Sequence, residues 1–560
     1  MDNSQIADQF SLLAKLMDIH GENSFKAKSY SVAAFTIDKL PEQLIDLPKE
    51  KIFSIKGIGE STGKKIIELL ETGHIQTLND IIQKTPEGIL EMLHIKGIGP
   101  KKIATIWKEM EIETVGELLY ACKENRLKLY KGFGEKTQAN VIEIIEYYLN
   151  NKGSFLYSQV EAVVPQITSY LQKLFSAGNV FVTGAFKRQL EVIDELEYVV
   201  NSENADIKPK FISANPPELL EEKENTLLYK LTNGLRLRLY TGKALFKNQL
   251  FKYSASPEFI EAFTSAYPTI DTNKIDGDND KILFENAGLN FIPFYSRETA
   301  SIIEKAKQQK LDEVIQPEDI KSIIHCHSNW SDGTHTIEVM AKAAIAKGLE
   351  YMVISDHSKT AFYANGLSEE KVKEQHEYVD ELNNQLAPFK IFKSIESDIL
   401  NDGSLDYSNE VLSTFDLVIA SVHSNLNMPE ERAMMRLINA IENPYTTILG
   451  HMTGRLLLSR KGYPVNHRKI IDACTANNVV IELNAHPNRL DIDWRHIEYA
   501  LEKNVLISID PDSHFIEGFD DIRYGVLVAQ KAMVKKEQNL SSFNLQQFEA
   551  FLQQQKTKLI

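Results

Sequence analysis

Ile324-His325-Cys326-His327-Ser328-Asn329-Trp330-Ser331-Asp332-Gly333 is the stretch whose reading decides the fold of this 560-residue chain. It opens on a β-compatible run, Ser322-Ile323-Ile324, and alternate residues of an extended chain share a face. His325 and His327 are therefore expected to point together, with Cys326 pointing away. A Ser-Asp-Gly turn comes next, and such a turn folds back over the strand end, carrying Asp332 toward the two imidazoles. Two histidines and a carboxylate converging on one spot are the start of a metal site.

An HxH pair in a chain with 14 histidines is weak evidence by itself. The apolar runs downstream of it carry more weight. Residues 351–355 run into Asp356-His357, 391–395 into Glu396, and 417–422 into His423. Residues 446–450 run into His451, 479–483 into Asn484-Ala485-His486, and 505–509 into Asp510-Pro511-Asp512-Ser513-His514. With the first, these make seven strand-like runs, separated by helix-like stretches such as 337–347, 430–441 and 467–476. Strand and helix in alternation predict a parallel α/β barrel, whose reacting groups gather at the C-terminal ends of the strands. The ligand-type residues fall at those ends repeatedly.

The set His325, His327, Asp332, His357, Glu396, His423, His451, Asp512 and His514 resembles the ligand set of the PHP (polymerase and histidinol phosphatase) phosphoesterases. That resemblance implies a distorted seven-stranded (βα)7 barrel holding three metal ions. The flanking text is similar, more narrowly, to the C-terminal domain of bacterial family X DNA polymerases: SDHSKTAFYANGLSEE, DGSLD, SVHS, AIENPY, GHMTGRLL and RYGV. By its place in the motif, Glu396 is the expected metal-bridging carboxylate and a catalytic candidate, and Asp356 is expected to orient a ligand from outside the cluster. Arg455 and Arg489 are candidates to clamp a substrate phosphate or, equally, to be structural ion-pair partners.

Composition bounds the rest. The length suggests three to five domains, and 43% apolar content is ample for several cores. The start, Met1-Asp2-Asn3-Ser4-Gln5, has no basic or apolar leader pattern and no run reads as a membrane span, so a soluble, cytoplasmic chain is expected. Cys122, Cys326 and Cys474 form no CxxC pair, which excludes a zinc ribbon or disulfide framework. A net charge of −16 argues against indiscriminate coating of nucleic acid, so any DNA contact must be local.

Local contact has a signature upstream. Residues 5–16 and 29–40 read as helices, with Pro41 as punctuation. Then Ile55-Lys56-Gly57-Ile58-Gly59 leads into Lys64-Lys65, Ile95-Lys96-Gly97-Ile98-Gly99 leads into Lys101-Lys102, and Lys131-Gly132-Phe133-Gly134 leads toward Lys136. The glycines permit positive φ and leave backbone N–H groups open at a helix start, a seat for a phosphate oxygen. The repeat resembles the helix-hairpin-helix motif, which implies sequence-independent binding of DNA through Gly57, Gly59, Gly97, Gly99, Gly132, Gly134 and the lysines. Lys65 falls where lyase-active relatives carry a Schiff-base lysine; a plain phosphate contact is the other reading.

Between repeat and barrel the family pattern breaks. Residues 180–188 and 194–200 keep the strand, turn and strand of a nucleotidyltransferase palm, but Gly184-Ala185, followed by Arg188, stands where the family has Gly-Ser. Glu195-Leu196-Glu197 stands where it has Asp-x-Asp, and Arg236 falls at the third carboxylate. Tyr253-Ser254-Ala255-Ser256 replaces the glycine-containing nucleotide turn. A two-metal centre needs carboxylates that bridge ions about 3.5–4 Å apart, and a guanidinium repels those ions. The palm therefore reads as a degenerate polymerase site kept as scaffold.

The expected organisation is a helical lyase-like region over 1–85, a helix-hairpin-helix region over 86–150, an α+β palm and thumb over 151–315, and the PHP barrel over 316–560, with polar, helix-like residues 296–319 as the link. Six histidines and three carboxylates without a thiolate suit Mn²⁺, Zn²⁺ or Fe²⁺ better than Mg²⁺ alone, and the resemblance favours manganese. Such a cluster polarises a phosphodiester, activates water and stabilises the leaving alkoxide without a protein nucleophile. The expected function is a DNA phosphoesterase of repair, a 3′-5′ exonuclease by resemblance, acting on gapped, nicked or 3′-ended DNA. A bifunctional repair polymerase, a non-catalytic DNA-binding adaptor and a small-molecule phosphatase are the alternatives.

Overall fold

The computed structural model describes all residues except 2, 41, 96, 151–152, 212–215, 277–278, 309–310, 312–313 and 560, so Pro41 and Lys96 lie outside the described residues. The chain divides into two compact units, one formed by Met1–Lys123 and Leu127–Glu146, the other by Glu124–Arg126 and Tyr147–Ile560. No helix among the described residues is long and apolar enough to cross a membrane.

The first unit is helical. Its opening helices, Asn3–His20 and Ser24–Asp38, start earlier than the apolar spacing alone suggests. The second is fixed by Asn23, whose side chain accepts from Phe25 N and Lys26 N, two donors that a helix start leaves unpaired. Ile6, Phe10, Leu13 and Met17 recur at helical spacing and are buried.

The second unit begins with a five-stranded sheet in the order 180–183, 195–200, 236–240, 226–230, 218–223. Only the pair Glu195–Val200 and Arg236–Tyr240 is parallel. Leu196, Tyr198 and Val200 face the core while Glu195 and Glu197 face the other way, as a period of two requires. The residues expected as a polar link are tied into this region. The helix Ser301–Lys307 buries Ile302, Ile303 and Ala306 in a cluster with Phe259, Phe263 and Phe284.

Arg297 is fully buried there, ringed by Phe284, Phe291 and Phe294, and meets Asp280 at 2.6 and 2.9 Å through two nitrogens. Removing one partner of such a pair leaves an uncompensated charge in an apolar site, at a cost of about 3–5 kcal/mol. Asp280→Ala is expected to lower the urea midpoint accordingly, whereas a midpoint unchanged from wild type would mean that the pair contributes nothing.

The barrel contains seven parallel strands whose spatial order is their sequence order: Ser322–Cys326, Tyr351–Ile354, Lys390–Asp398, Leu417–Ser421, Thr446–Leu449, Val480–Asn484 and Ile507–Asp510. These strands are almost wholly buried, which is why they read as continuous apolar runs rather than as alternation. First and last strands meet past their ends, where His327 N donates to Ser513 O at 2.8 Å, so the barrel is nearly closed. Phe548, Phe551 and Leu552 of the last long helix pack against Tyr351, Phe392, Leu417 and Val480, near the strand starts. With that end filled, the strand C-termini are left to carry the site.

Candidate metal centre

Strand ends and the loops just beyond them deliver the nine predicted side chains to one place. The centre of the group is Glu396, fully buried. Its Oε1 lies 3.0 Å from His423 Nε2, 3.0 Å from His451 Nε2 and 3.3 Å from His325 Nε2. Its Oε2 lies 2.9 Å from His357 Nδ1 and 3.7 Å from His327 Nε2. Asp512 Oδ1 is 3.1 Å from His327 Nε2 and 3.5 Å from His325 Nε2. Asp332 stands opposite, its Oδ1 3.3 Å from His514 Nε2 and its Oδ2 3.6 Å from His357 Nε2.

The backbone achieves this differently from the extended reading. His325 has φ +60° at a register shift in its strand, and Asp512 has φ +51°. These left-handed residues carry strain, which is found where surrounding structure fixes a functional geometry. Asp332 is brought in by its turn, and Gly333 is required there because a Cβ would lie 2.1 Å from His327 O.

Among the described residues, three overlapping groups can each hold a cation: His327, Asp332, His357 and His514; His325, His327 and Asp512; and His357, Glu396 and His423. The donor set fits divalent ions by a separate criterion. His325 Nε2, His357 Nδ1, His514 Nε2 and Glu396 Oε2 are buried, are turned toward other members of the cluster, and have no hydrogen bond. Buried polar atoms are ordinarily paired, and converging lone pairs are satisfied by a cation.

The electrostatics show the same crowding. Burial alone would lower the His325 pKa, but Glu482, Asp512 and Glu396 together raise it well above the usual imidazole range. Burial acts likewise on His357, which Asp332 and Glu396 push up to about 9. His327 goes the other way, down to about 3, through burial and the neighbouring His514 and His357. Against their burial, the carboxyls of Glu396 and Asp332 are held well below the ordinary range by adjacent histidines.

Asp356 does not reach a ligand ring. It accepts from Ser328 N at 2.8 Å, Ser328 Oγ at 2.7 Å, Ser331 Oγ at 2.5 Å and Gln375 Nε2 at 2.7 Å, so it pins the turn that carries Asp332. The orienting carboxylates are others. Glu482 takes His325 Nδ1 and also accepts from His451 N at 2.5 Å, while Asp398 takes His423 Nδ1 at 2.5 Å. Their signal in the sequence is a carboxylate inside an apolar strand run, Ile481-Glu482-Leu483 and Ile395-Glu396-Ser397-Asp398. Of the two arginines, Arg489 lies beside the cluster, its Nε 3.5 Å from Asp512 Oδ2. Arg455 takes the structural alternative: its guanidinium is engaged by Asp493 at 2.6 Å and by the carbonyls of Arg489 and Leu490.

In the palm-like sheet both glutamates are taken by protein partners. Arg238 grips Glu195 through two nitrogens, and Arg236, the expected intruder, is at 3.8 Å. Glu197 accepts from Ala185 N at 3.0 Å and from Tyr240 OH at 2.7 Å. A Cβ on Gly184 would collide with the Glu197 carboxylate. Arg188 pairs with Glu298 at 3.1 Å, and Tyr253 stacks on Tyr240.

In the helical unit the three hairpins are alike. Gly57, Gly97 and Gly132 have φ +98°, +96° and +92°, and Ile58, Ile98 and Phe133 are buried. Gly59 and Gly99 cap the helices Glu60–Thr72 and Pro100–Lys108, and Gly134 precedes Glu135–Asn150. Lys64 pairs with Glu60 at 2.7 Å, Lys65 donates to Thr77 Oγ1 at 2.6 Å, and Lys102 lies over the Phe133 ring. Beside the first hairpin a cleft of about 520 Å³ is lined by Lys26, Lys28, Gly57, Gly59, Ser61 and Thr62 among others.

Similarity to known proteins is distributed along the chain in the same way. Residues 1–75 match the family described as Helix-hairpin-helix domain, 89–146 the SAM-like Helix-hairpin-helix tandem, and 324–486 the PHP domain. The chain is 30% identical over 99% of its own length and 99% of the relative's to the DNA polymerase/3'-5' exonuclease PolX of Bacillus subtilis. It is 28% identical to a probable phosphatase of Acetivibrio thermocellus, over 35% of this chain and 80% of the relative. It is also 28% identical to a probable phosphatase of Caldanaerobacter subterraneus, over 30% of this chain and 63% of the relative.

Proposed function

Because this chain belongs to the bacterial PolX family, we propose that it is a metal-dependent DNA phosphoesterase that trims 3′ ends during cytoplasmic DNA repair. The observation that carries this reading is Glu396, whose carboxylate faces five imidazoles within a cluster of nine donors. Divalent cations held there, three of them and preferably manganese, would polarise the phosphodiester, activate water and stabilise the leaving alkoxide. The chain's own part is positional. Glu396, the histidines, Asp332 and Asp512 would hold the cations, Asp356 holds the Asp332 turn, and Arg489 would offer positive charge beside Asp512 to a phosphate oxygen.

The hairpins would bring DNA by its backbone at nicks, gaps or 3′ ends. Lys101→Ala and Lys136→Ala are each expected to reduce the slope of log affinity against log salt by about 1 while weakening all DNA sequences alike. An unchanged slope in filter binding would remove these lysines from the interface.

The palm is proposed to hold DNA without extending it. Its carboxylates are engaged by Arg238, Ala185 N–H and Tyr240 rather than left open for cations. A gapped duplex labelled at the 5′ end, with Mn²⁺ and with or without nucleotides, separates the readings. Shortening in both conditions is expected. Nucleotide-dependent extension would establish a working polymerase, and retention without change would leave only a DNA-binding adaptor.

A further inference from the structure

We propose that Glu124 is a positioning residue of the metal centre, holding His514 as Glu482 holds His325 and Asp398 holds His423. This deepens the phosphoesterase reading and rests on it. Three of the clustered histidines share one arrangement, in which one ring nitrogen faces the donors and the other faces a carboxylate outside the set of nine. For His325, Nε2 is 3.3 Å from Glu396 and Nδ1 meets Glu482. For His423, Nε2 is 3.0 Å from Glu396 and Nδ1 is 2.5 Å from Asp398. For His514, Nε2 is 3.3 Å from Asp332, while Nδ1 hydrogen-bonds Asp512 O at 3.1 Å and is in ion-pair contact with Glu124 Oε2, a buried oxygen that has no hydrogen bond of its own.

A neutral imidazole carries one N–H. Placing it on Nδ1 against a carboxylate leaves the Nε2 lone pair pointing inward and makes it a better donor to a cation. Glu124 is only 1% exposed, and a buried carboxylate needs a partner of this kind. Its other neighbour, His486 Nε2, is at 3.8 Å. Glu124 sits far upstream of the nine donors, yet Glu124–Arg126 belong to the barrel's compact unit. Two residues on, Arg126 presents its guanidinium to the donor side instead, 3.3 Å from Asp332 Oδ2 and 3.4 Å from His357 Nε2. A cation there competes with a metal ion rather than supporting one.

The test is Mn²⁺ titration of the full-length protein, followed by the spectrum of free Mn²⁺, beside thermal melting of the metal-free form. Glu124→Gln keeps the size and loses the charge. It is expected to weaken one Mn²⁺ by about 10–100-fold, as are Glu482→Gln and Asp398→Asn, with the metal-free form still melting as a single cooperative transition. Arg126→Ala is expected to bind Mn²⁺ as tightly as wild type or more tightly. Wild-type affinity in Glu124→Gln, or an equal fall in Arg126→Ala that marks a packing effect of the whole segment, overturns the proposal. Failure of the wild-type protein to bind Mn²⁺ would instead sink the phosphoesterase reading itself.

Discussion

Glu396→Gln is expected to lower 3′-end shortening by more than about 10³-fold, beyond the 10–100-fold that supporting residues command. The reason is its position. Both oxygens of this fully buried carboxylate face imidazole nitrogens, at 2.9 to 3.7 Å. Glutamine occupies the same space but halves the acceptor capacity, removes the negative charge, and turns an amide NH₂ toward a cluster built to receive positive charge. Cations held by the histidine groups would lose the anion that faces all five rings. Retention of DNA, proposed to rest on the hairpins and the palm, should be untouched. Gel analysis of a 5′-labelled strand beside a binding assay separates the two quantities; cleavage within tenfold of wild type would remove Glu396 from the centre of the chemistry.

Chelation is expected to produce the second large effect, a fall in melting temperature of roughly 10 °C that added Mn²⁺ reverses. Without cations the cluster balances its carboxylates with Arg126, Arg489 and buried imidazoles that stay protonated, as the raised values of His325, His357 and His514 reflect. That arrangement opposes burial, which favours the neutral ring in each case. Ions binding only the folded state stabilise it by about 4 kcal/mol at a thousand times their dissociation constant, and each kcal/mol moves a domain of this size by about 2–4 °C. Differential scanning calorimetry with and without chelator reads the shift. An identical melting curve in both would mean that the donors do not bind ions in the folded chain.

The barrel is legible in the sequence because its strands are buried on both faces and each apolar run ends on or near a polar residue that has no business in a core. The hairpins are legible because only glycine suits the positive φ at Gly57, Gly97 and Gly132. The features that escape depend on partners distant along the chain. Arg238 rather than Arg236 grips Glu195, since which of two residues on one strand face reaches across is settled by side-chain direction and not by the register, which pairs Glu195 with Arg236. Arg455 is fixed by Asp493, and no local pattern marks that pairing. Glu482 and Asp398 are visible only as carboxylates embedded in apolar runs. Ile302 and Ile303 anchor a stretch whose polar composition reads as a linker.

Anomalous diffraction at the manganese edge, from crystals of the full-length protein grown with Mn²⁺, tests most directly whether the barrel's strand ends gather catalytic cations. Peaks are predicted within the three donor groups, with Glu396 coordinating at least one of them. Density confined to other parts of the molecule, with none against Glu396, His357 or Asp512, would contradict it.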